Sequence, residues 1–309
     1  MKQDAELIAN PRAYLAKIFD GAIERWIGEQ YDHEYHETWL GFQTRVEGAL
    51  YGLCQHIDAT QPRQAVVFSS GASSGLGAGM AREFAAKGYN LALCARRLDR
   101  LESLQQELQS QFAIQVKIKS LDVTHYDDVF TVFKAFQQEF GTIDRIIVNA
   151  GVGDGRRIGK GHFEVNRATA ETNFISALAQ CEAAVDIFRA QNKGHLVVIS
   201  SMSAMRGLPK HLSTYAASKA AVAHLAEGIR AELLDTPIKV STIFPGYIRT
   251  EMNEGAKKLP FEVDEKTGCK ALVKAIEKES VKAYVPQWPW LPMGIAMKIL
   301  PLKLVNKLS

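Results

Sequence analysis

The chain has 309 residues, 47% of them hydrophobic and 23% charged, a balance that suits a globular protein with room for one large α/β domain and an appendage. A net charge of +3 is too small to argue for a nucleic-acid partner. The four cysteines, Cys54, Cys94, Cys181 and Cys269, form no C-x-x-C pair and join no histidine cluster, which suits a reducing cytoplasm and gives no metal site.

The opening run, MKQDAELIANPRAYLAKIFD, is interrupted by Asp4, Glu6 and Arg12 and lacks the apolar core of a signal peptide. No stretch of about 18 uncharged apolar residues occurs, so no spanning helix is expected. Residues 1–60 read as a helical extension. Asn10 before Pro11 is a helix start, and Leu15, Ile18, Phe19, Ala22, Ile23, Trp26 and Ile27 follow at three-four spacing. A second run, Tyr35, Trp39, Phe42, Val46, Leu50 and Leu53, keeps the period, which predicts an amphipathic hairpin. The segment holds 5 basic and 10 acidic residues, so DNA binding by such a hairpin is disfavoured. His33-x-x-His36 beside Glu34 and Glu37 lacks a third distant ligand and reads as a solvated helix start.

Residues 61–287 change character. AVVFSS (65–70), LALCAR (91–96), VKIKSLDV (116–123), RIIVNAG (145–151), HLVVISS (195–201), KVSTIFPG (239–246) and KAYVPQ (282–287) are short β-branched or apolar runs. Helical-period segments separate them, for example Tyr126, Val129, Phe130, Phe133, Phe136 and Phe140. This alternation predicts an α/β fold, a doubly wound parallel sheet of about seven strands.

The first strand runs into Ser70-Gly71-Ala72-Ser73-Ser74-Gly75-Leu76-Gly77 and then a helix. Glycines permit positive φ and close backbone approach, and the helix start offers free amides to a pyrophosphate, so Gly71, Ser73, Ser74, Gly75, Leu76 and Gly77 are candidate cofactor-binding residues. The second strand ends at Cys94-Ala95-Arg96-Arg97. An acidic residue there would hold the ribose hydroxyl of NAD; two guanidinium groups suit a 2′-phosphate instead, which predicts NADP(H), with Arg96 the better placed of the two.

The fifth strand ends in Ile199-Ser200-Ser201, at the sheet edge where open α/β sheets bind ligands. Tyr215 follows, with Lys219 one helical turn beyond on the same face. An ammonium near a phenol favours the phenolate, so this pair suits proton exchange with a carbonyl held by Ser201. Ser203 is the rival serine, and Ser200 reads as structural. Substrate contacts are expected from Gly151–His162, which carries Arg156, Arg157 and Lys160, from Tyr247–Lys266, and from the apolar tail at 288–309. Lys298, Lys303 and four prolines break up the run 284–305, whose apolar residues are expected to cover the pocket or a subunit contact rather than a membrane surface.

Together these stretches resemble the short-chain dehydrogenase/reductase family. The resemblance spans about 64–287 and rests on Gly71-x-x-x-Gly75-x-Gly77, Leu121-Asp122-Val123, Asn149-Ala150-Gly151, Asn173, Ser201, Tyr215-x-x-x-Lys219 and Pro245-Gly246-x-x-x-Thr250, in that order. It implies that Tyr215 is the general acid or base, that Lys219 lowers its pKa and holds the nicotinamide ribose, and that Ser201 orients the carbonyl. It also implies that Asn173 holds a relay water, that Asp122 and Val123 flank the adenine, and that Asn149 braces the central strands beside Ala150 and Gly151. Ile248 and Thr250, after Pro245 and Gly246, would anchor the carboxamide. The reaction implied is hydride transfer between NADP(H) and a small-molecule ketone, aldehyde or alcohol. Reduction of a 3-oxoacyl thioester and a non-catalytic NADP(H) sensor are the alternatives, and a homodimer or homotetramer is the implied assembly. Ser70 stands where the family usually has threonine, Val148 where it often has asparagine, and the Ser201–Tyr215 interval is one residue longer than usual.

Overall fold

The computed structural model describes residues 65–255 and 259–308. The expected hairpin at 1–60, with its His33–His36 pair, lies outside the described residues. All seven expected strands form: β1 (Val66–Ser70), β2 (Asn90–Ala95), β3 (Val116–Ser120), β4 (Arg145–Val148), β5 (Gly194–Ile199), β6 (Ile238–Pro245) and β7 (Lys282–Val285). They make one parallel sheet in the order β3-β2-β1-β4-β5-β6-β7, so the chain reverses its direction of travel between β1 and β4. In open α/β sheets a ligand crevice opens beside such a reversal, outside the carboxyl ends of the strands.

Helices cover both faces. They are α1 (Gly75–Ala85), α2 (Leu98–Gln111), α3 (Tyr126–Phe140), α4 (Phe163–Ala170), α5 (Ser176–Gln191), α6 (Leu212–Glu232), α7 (Glu265–Glu277), α8 (Gln287–Ile299) and α9 (Leu302–Leu308). Every residue of β1 is buried, which explains its unbroken apolar run. Phe68 faces one layer and packs edge-on against Phe133 of α3, ring centres 4.3 Å apart. Val67 faces the other layer, with Met80 and Phe84 of α1. On α3 the buried stripe is Val129, Phe133 and Phe136; Phe130, one position off it, is exposed, a correction to the stripe expected there. Truncating a fully buried phenylalanine such as Phe136 costs about 3–5 kcal/mol.

The tail packs on the same unit as the sheet. Trp290 is buried with Phe244, Met202 and Met205, and Val305 with Leu208 and Ala216. Of the four prolines, Pro286 and Pro289 flank the start of α8 and Pro301 immediately precedes α9, where a missing amide is tolerated; Pro292 lies inside α8. Gly246 makes room for the tail, since a Cβ there would lie 2.0 Å from the Trp290 ring.

At the opposite, amino edge of the sheet a polar chain is buried. Arg145 Nε donates to His195 Nδ1 at 2.8 Å, and His195 Nε2 lies 2.8 Å from Ser241 Oγ. Arginine only donates, so Nδ1 must accept, which places the imidazole proton on Nε2. Burial, and then the Arg145 charge, push the His195 pKa down to about 3. Below the ordinary histidine value near 6.5 the unfolded chain takes up a proton that the native chain refuses, so stability falls as pH drops from there toward about 3, by up to about 1.4 kcal/mol per unit. His195→Gln, which keeps one acceptor and one donor, is expected to flatten that limb; urea midpoints at neutral and mildly acidic pH measure it, and an unchanged slope would refute the linkage.

Candidate active site

The residues expected to form a site lie mainly at the carboxyl edge of β1, β2, β4, β5 and β6. Ser70 closes β1, and its hydroxyl accepts the amides of Asn149 and Ala150 at 3.1 and 3.2 Å. Asn149 Nδ2 donates back to the Ser70 carbonyl at 3.0 Å. Asn149 therefore ties β1 to β4, and serine suffices where threonine is usual. Gly71 and Gly75 take φ of 62° and 50°, and a Cβ on Gly77 would lie 2.2 Å from the Gly71 carbonyl oxygen. The turn thus requires its glycines for conformation at two positions and for close approach at the third.

No acidic residue occupies the first turn of α1, and the Ser74 side chain makes no cap to it. Ser74 Oγ instead accepts from Arg97 Nη2 at 2.6 Å, while Arg97 Nε donates to Ser73 Oγ at 3.3 Å. The helix start is left without a side-chain cap beside a guanidinium, which fits a dinucleotide phosphate. Arg97, rather than Arg96, lies against the turn. Arg96 is exposed and acts on Asp122. Burial works against the Asp122 charge, but the amide and hydroxyl of Thr124, at 3.0 and 2.7 Å, and the Arg96 charge together hold its carboxyl below the usual range. Val123 is buried beside it in the core. Thr250 lies against the turn, its Cβ 3.3 Å from where a Cβ on Gly75 would stand. Pro245 closes β6, and the Gly246 amide donates to Val285 at 2.8 Å. The Ile248 side chain is buried against Gly268, so any anchoring by Ile248 falls to its main chain. Leu76, in the first turn of α1, packs at the margin of the core.

Ser200 is structural: its amide donates to Ile243 at 2.8 Å and its hydroxyl to the Lys219 carbonyl at 2.7 Å. Ser201 caps the short turn Met202–Met205, accepting the Ser203 amide at 3.2 Å, and its hydroxyl hydrogen-bonds to Tyr215. Ser203 Oγ is buried with no hydrogen-bond partner, so of the two serines it is Ser201 that meets the phenol. Lys219 Nζ donates to the Ile199 carbonyl at 3.0 Å and stands 6.0 Å from the centre of the Tyr215 ring. A Cβ on Gly151 would sit 3.1 Å from Asn173 Oδ1 and 3.3 Å from Lys219 Nζ, so three segments converge there.

Asn173 lies on a π-turn, Glu171–Ile175, between α4 and α5, a local widening often found at functional sites. Its amide clamps both backbone atoms of Val152, accepting at 2.8 Å and donating at 2.9 Å, and donates to Ser218 Oγ at 3.1 Å. Both of its side-chain donors and one acceptor position are thus engaged, which favours the main chain for a relay through Asn173.

From sequence, Lys219 is expected to make the phenol more acidic. With the protein groups alone, burial pushes Tyr215 up against the lowering bond from Ser201, and burial brings Lys219 down to about 8.

Several residues here carry no sequence signal of their own. The Glu251 carboxylate reaches Arg97 at 3.1 Å and Arg100 at 2.8 Å, and these two partners, Arg97 first, hold its pKa down to about 2. Glu251 directly follows Thr250 of the motif, which was the available hint. Tyr247 packs edge-on against Trp290, 5.3 Å between ring centres. Met252 side-chain atoms approach within 3.2 Å of where a Cβ on Gly153 would stand, so the two expected substrate segments meet. Arg156, Arg157 and Lys160 are all exposed, as solvated loop charges would be.

A family model described as short chain dehydrogenase matches residues 65–261. An uncharacterized oxidoreductase of Mycobacterium tuberculosis is 48% identical over 244 residues, 79% of this chain and 96% of that protein. Among solved structures, an alcohol dehydrogenase from Thermococcus sibiricus complexed with 5-hydroxy-NADP is 26% identical with a TM-score of 0.65, covering 72% of this chain and 94% of the other. An NADPH-dependent 3-quinuclidinone reductase from Rhodotorula rubra is also 26% identical with a TM-score of 0.65, covering 71% and 88%.

Proposed function

The chain belongs to the short-chain dehydrogenase/reductase family, and on that premise we propose that it is an NADP(H)-dependent oxidoreductase interconverting a ketone or aldehyde with its alcohol. The observation that carries this reading is the convergence of Ser201, Tyr215 and Lys219 around the end of β5. When bound, the nicotinamide supplies or accepts the hydride. The chain's own residues handle the oxygen and its proton. Ser201 Oγ would hold the carbonyl oxygen against the Tyr215 hydroxyl, which gives its proton to the developing alkoxide and takes one back in the oxidative direction. Lys219, fixed by Ile199, would keep positive charge beside the phenol and bind the ribose. The main chain of Asn173 would pass the replacement proton.

Preference for NADP(H) is supported by Arg97 at the α1 start, by the absence of an acidic residue at the tip of β2, and by the cofactors named for the two solved relatives. Gly71, Ser73, Ser74, Gly75, Leu76 and Gly77 would line the pyrophosphate, with Asp122 and Val123 at the adenine and Thr250 and the Ile248 main chain at the carboxamide. We place the catalytic unit at 61–287, in a cytoplasmic homodimer or homotetramer. A panel of aliphatic ketones, steroids, quinones and 3-oxoacyl thioesters, followed by NADPH absorbance, tests the reading. Turnover of a simple carbonyl supports it; turnover of thioesters alone would replace it with the acyl reductase alternative, and none at all with the sensor.

A further inference from the structure

Helix α8 is apolar on two sides. Trp290 and Gly294, with Met293 and Met297 beside them, pack inward against Phe244, Tyr284 and the Met202–Met205 turn. A second stripe, Trp288, Ile295 and Ile299, faces solvent, with Trp288 80% and Ile299 77% exposed. Leu302 and Leu304 of α9 extend it. A helix clothed in apolar residues all round belongs in a core or at a lipid boundary, and a soluble surface rarely carries such a patch without a partner.

The charge of this region names the partner. From Ser280 to Ser309 the sequence has no aspartate or glutamate but four lysines, Lys282, Lys298, Lys303 and Lys307, of which Lys282 pairs with Glu227 at 3.1 Å. Arg206, which donates to the Lys298 carbonyl at 3.4 Å, brings a further cation, and residues 201–226, which include the α6 start against which Val305 packs, are likewise free of acidic side chains. A two-fold contact with a second copy would bring the lysines of one patch toward those of the other with no acidic side chain in either patch to pair them, whereas anionic headgroups pair them directly. Exposed tryptophan, isoleucine and leucine flanked by lysines are the chemistry of an interfacial helix on anionic lipid. Among the described residues no helix is long and apolar enough to cross a membrane.

We propose that the outer face of α8 and α9 docks on an anionic lipid surface, burying Trp288, Ile295, Ile299, Leu302 and Leu304 with Lys298 and Lys303 at the headgroups. The inference stands on the surface alone and does not depend on which reaction the site performs.

The full chain is sedimented with phosphatidylcholine vesicles and with mixed phosphatidylcholine–phosphatidylglycerol vesicles. Binding to the mixed vesicles and little to the neutral ones is expected. Two double variants at exposed positions test the face: Ile299→Ser with Leu302→Ser, and Lys298→Glu with Lys303→Glu. Each should lower partitioning at least about tenfold while leaving the far-ultraviolet dichroism and melting transition intact. Trp288→Phe should abolish a blue shift of tryptophan emission on binding. Failure of the full chain to bind the mixed vesicles, or binding that neither double variant weakens, overturns the proposal. So does a wild-type dimer in sedimentation equilibrium that the Ile299→Ser, Leu302→Ser variant dissociates, which would make this face a contact between copies.

Discussion

Tyr215→Phe is expected to lower carbonyl reduction about 10²- to 10⁴-fold while NADPH still binds. Phenylalanine keeps the ring and its packing on α6 and deletes only the hydroxyl that meets Ser201. Lys219 keeps its anchor on Ile199, so the groove beside it should stay formed. Turnover by NADPH absorbance and binding by cofactor fluorescence separate the two effects; a variant keeping more than about a tenth of the activity would remove Tyr215 from the proton step. The pH dependence follows from the same groups. Burial raises the phenol, so Tyr215 stays protonated at neutral pH and is ready to donate. Reduction should decline as pH rises and Lys219 loses its charge near about 8, whereas alcohol oxidation, which needs the deprotonated phenol, should gain only above the ordinary phenol range, because burial raises Tyr215.

The second large effect concerns cofactor choice. Arg97→Ala should weaken NADPH binding about ten- to a hundredfold and NADH binding by less, because the 2′-phosphate adds a charged acceptor for this guanidinium that NADH lacks. Glu251 sharpens the test. Its carboxylate already occupies Arg97 and Arg100, so a 2′-phosphate arriving there would compete with it. Glu251→Gln should therefore tighten NADPH, by no more than about fivefold since the pair is half exposed and screened by salt. In the Arg97→Ala background the same change should lose most of its effect, which a double-mutant cycle reads directly. Tighter NADH than NADPH in the wild type would refute the role of Arg97.

The family motifs were legible because each is local. A glycine that must take positive φ, an asparagine that ties adjacent strands, and a tyrosine and lysine one helical turn apart all announce themselves by residue type and spacing. The sequence favoured Ser201 and left Ser203 as its rival; what it could not show is how the Met202–Met205 turn aims each hydroxyl. That Arg97, and not Arg96, packs on the glycine turn was hidden for a similar reason. Adjacent residues leaving a strand point to opposite sides, and only the packed turn shows which one reaches Ser73 and Ser74.

The sequence by itself determined the parallel sheet, its seven strands and the residue types at its carboxyl edge, because strand periodicity, turn chemistry and helix spacing are properties of neighbouring residues. Only the tertiary structure decided the burial around Tyr215, the pairing of Glu251 with Arg97 across 154 positions, and the seat of Trp290 over Gly246. Those depend on burial and on charges brought together from distant segments, quantities that do not exist until the chain has packed.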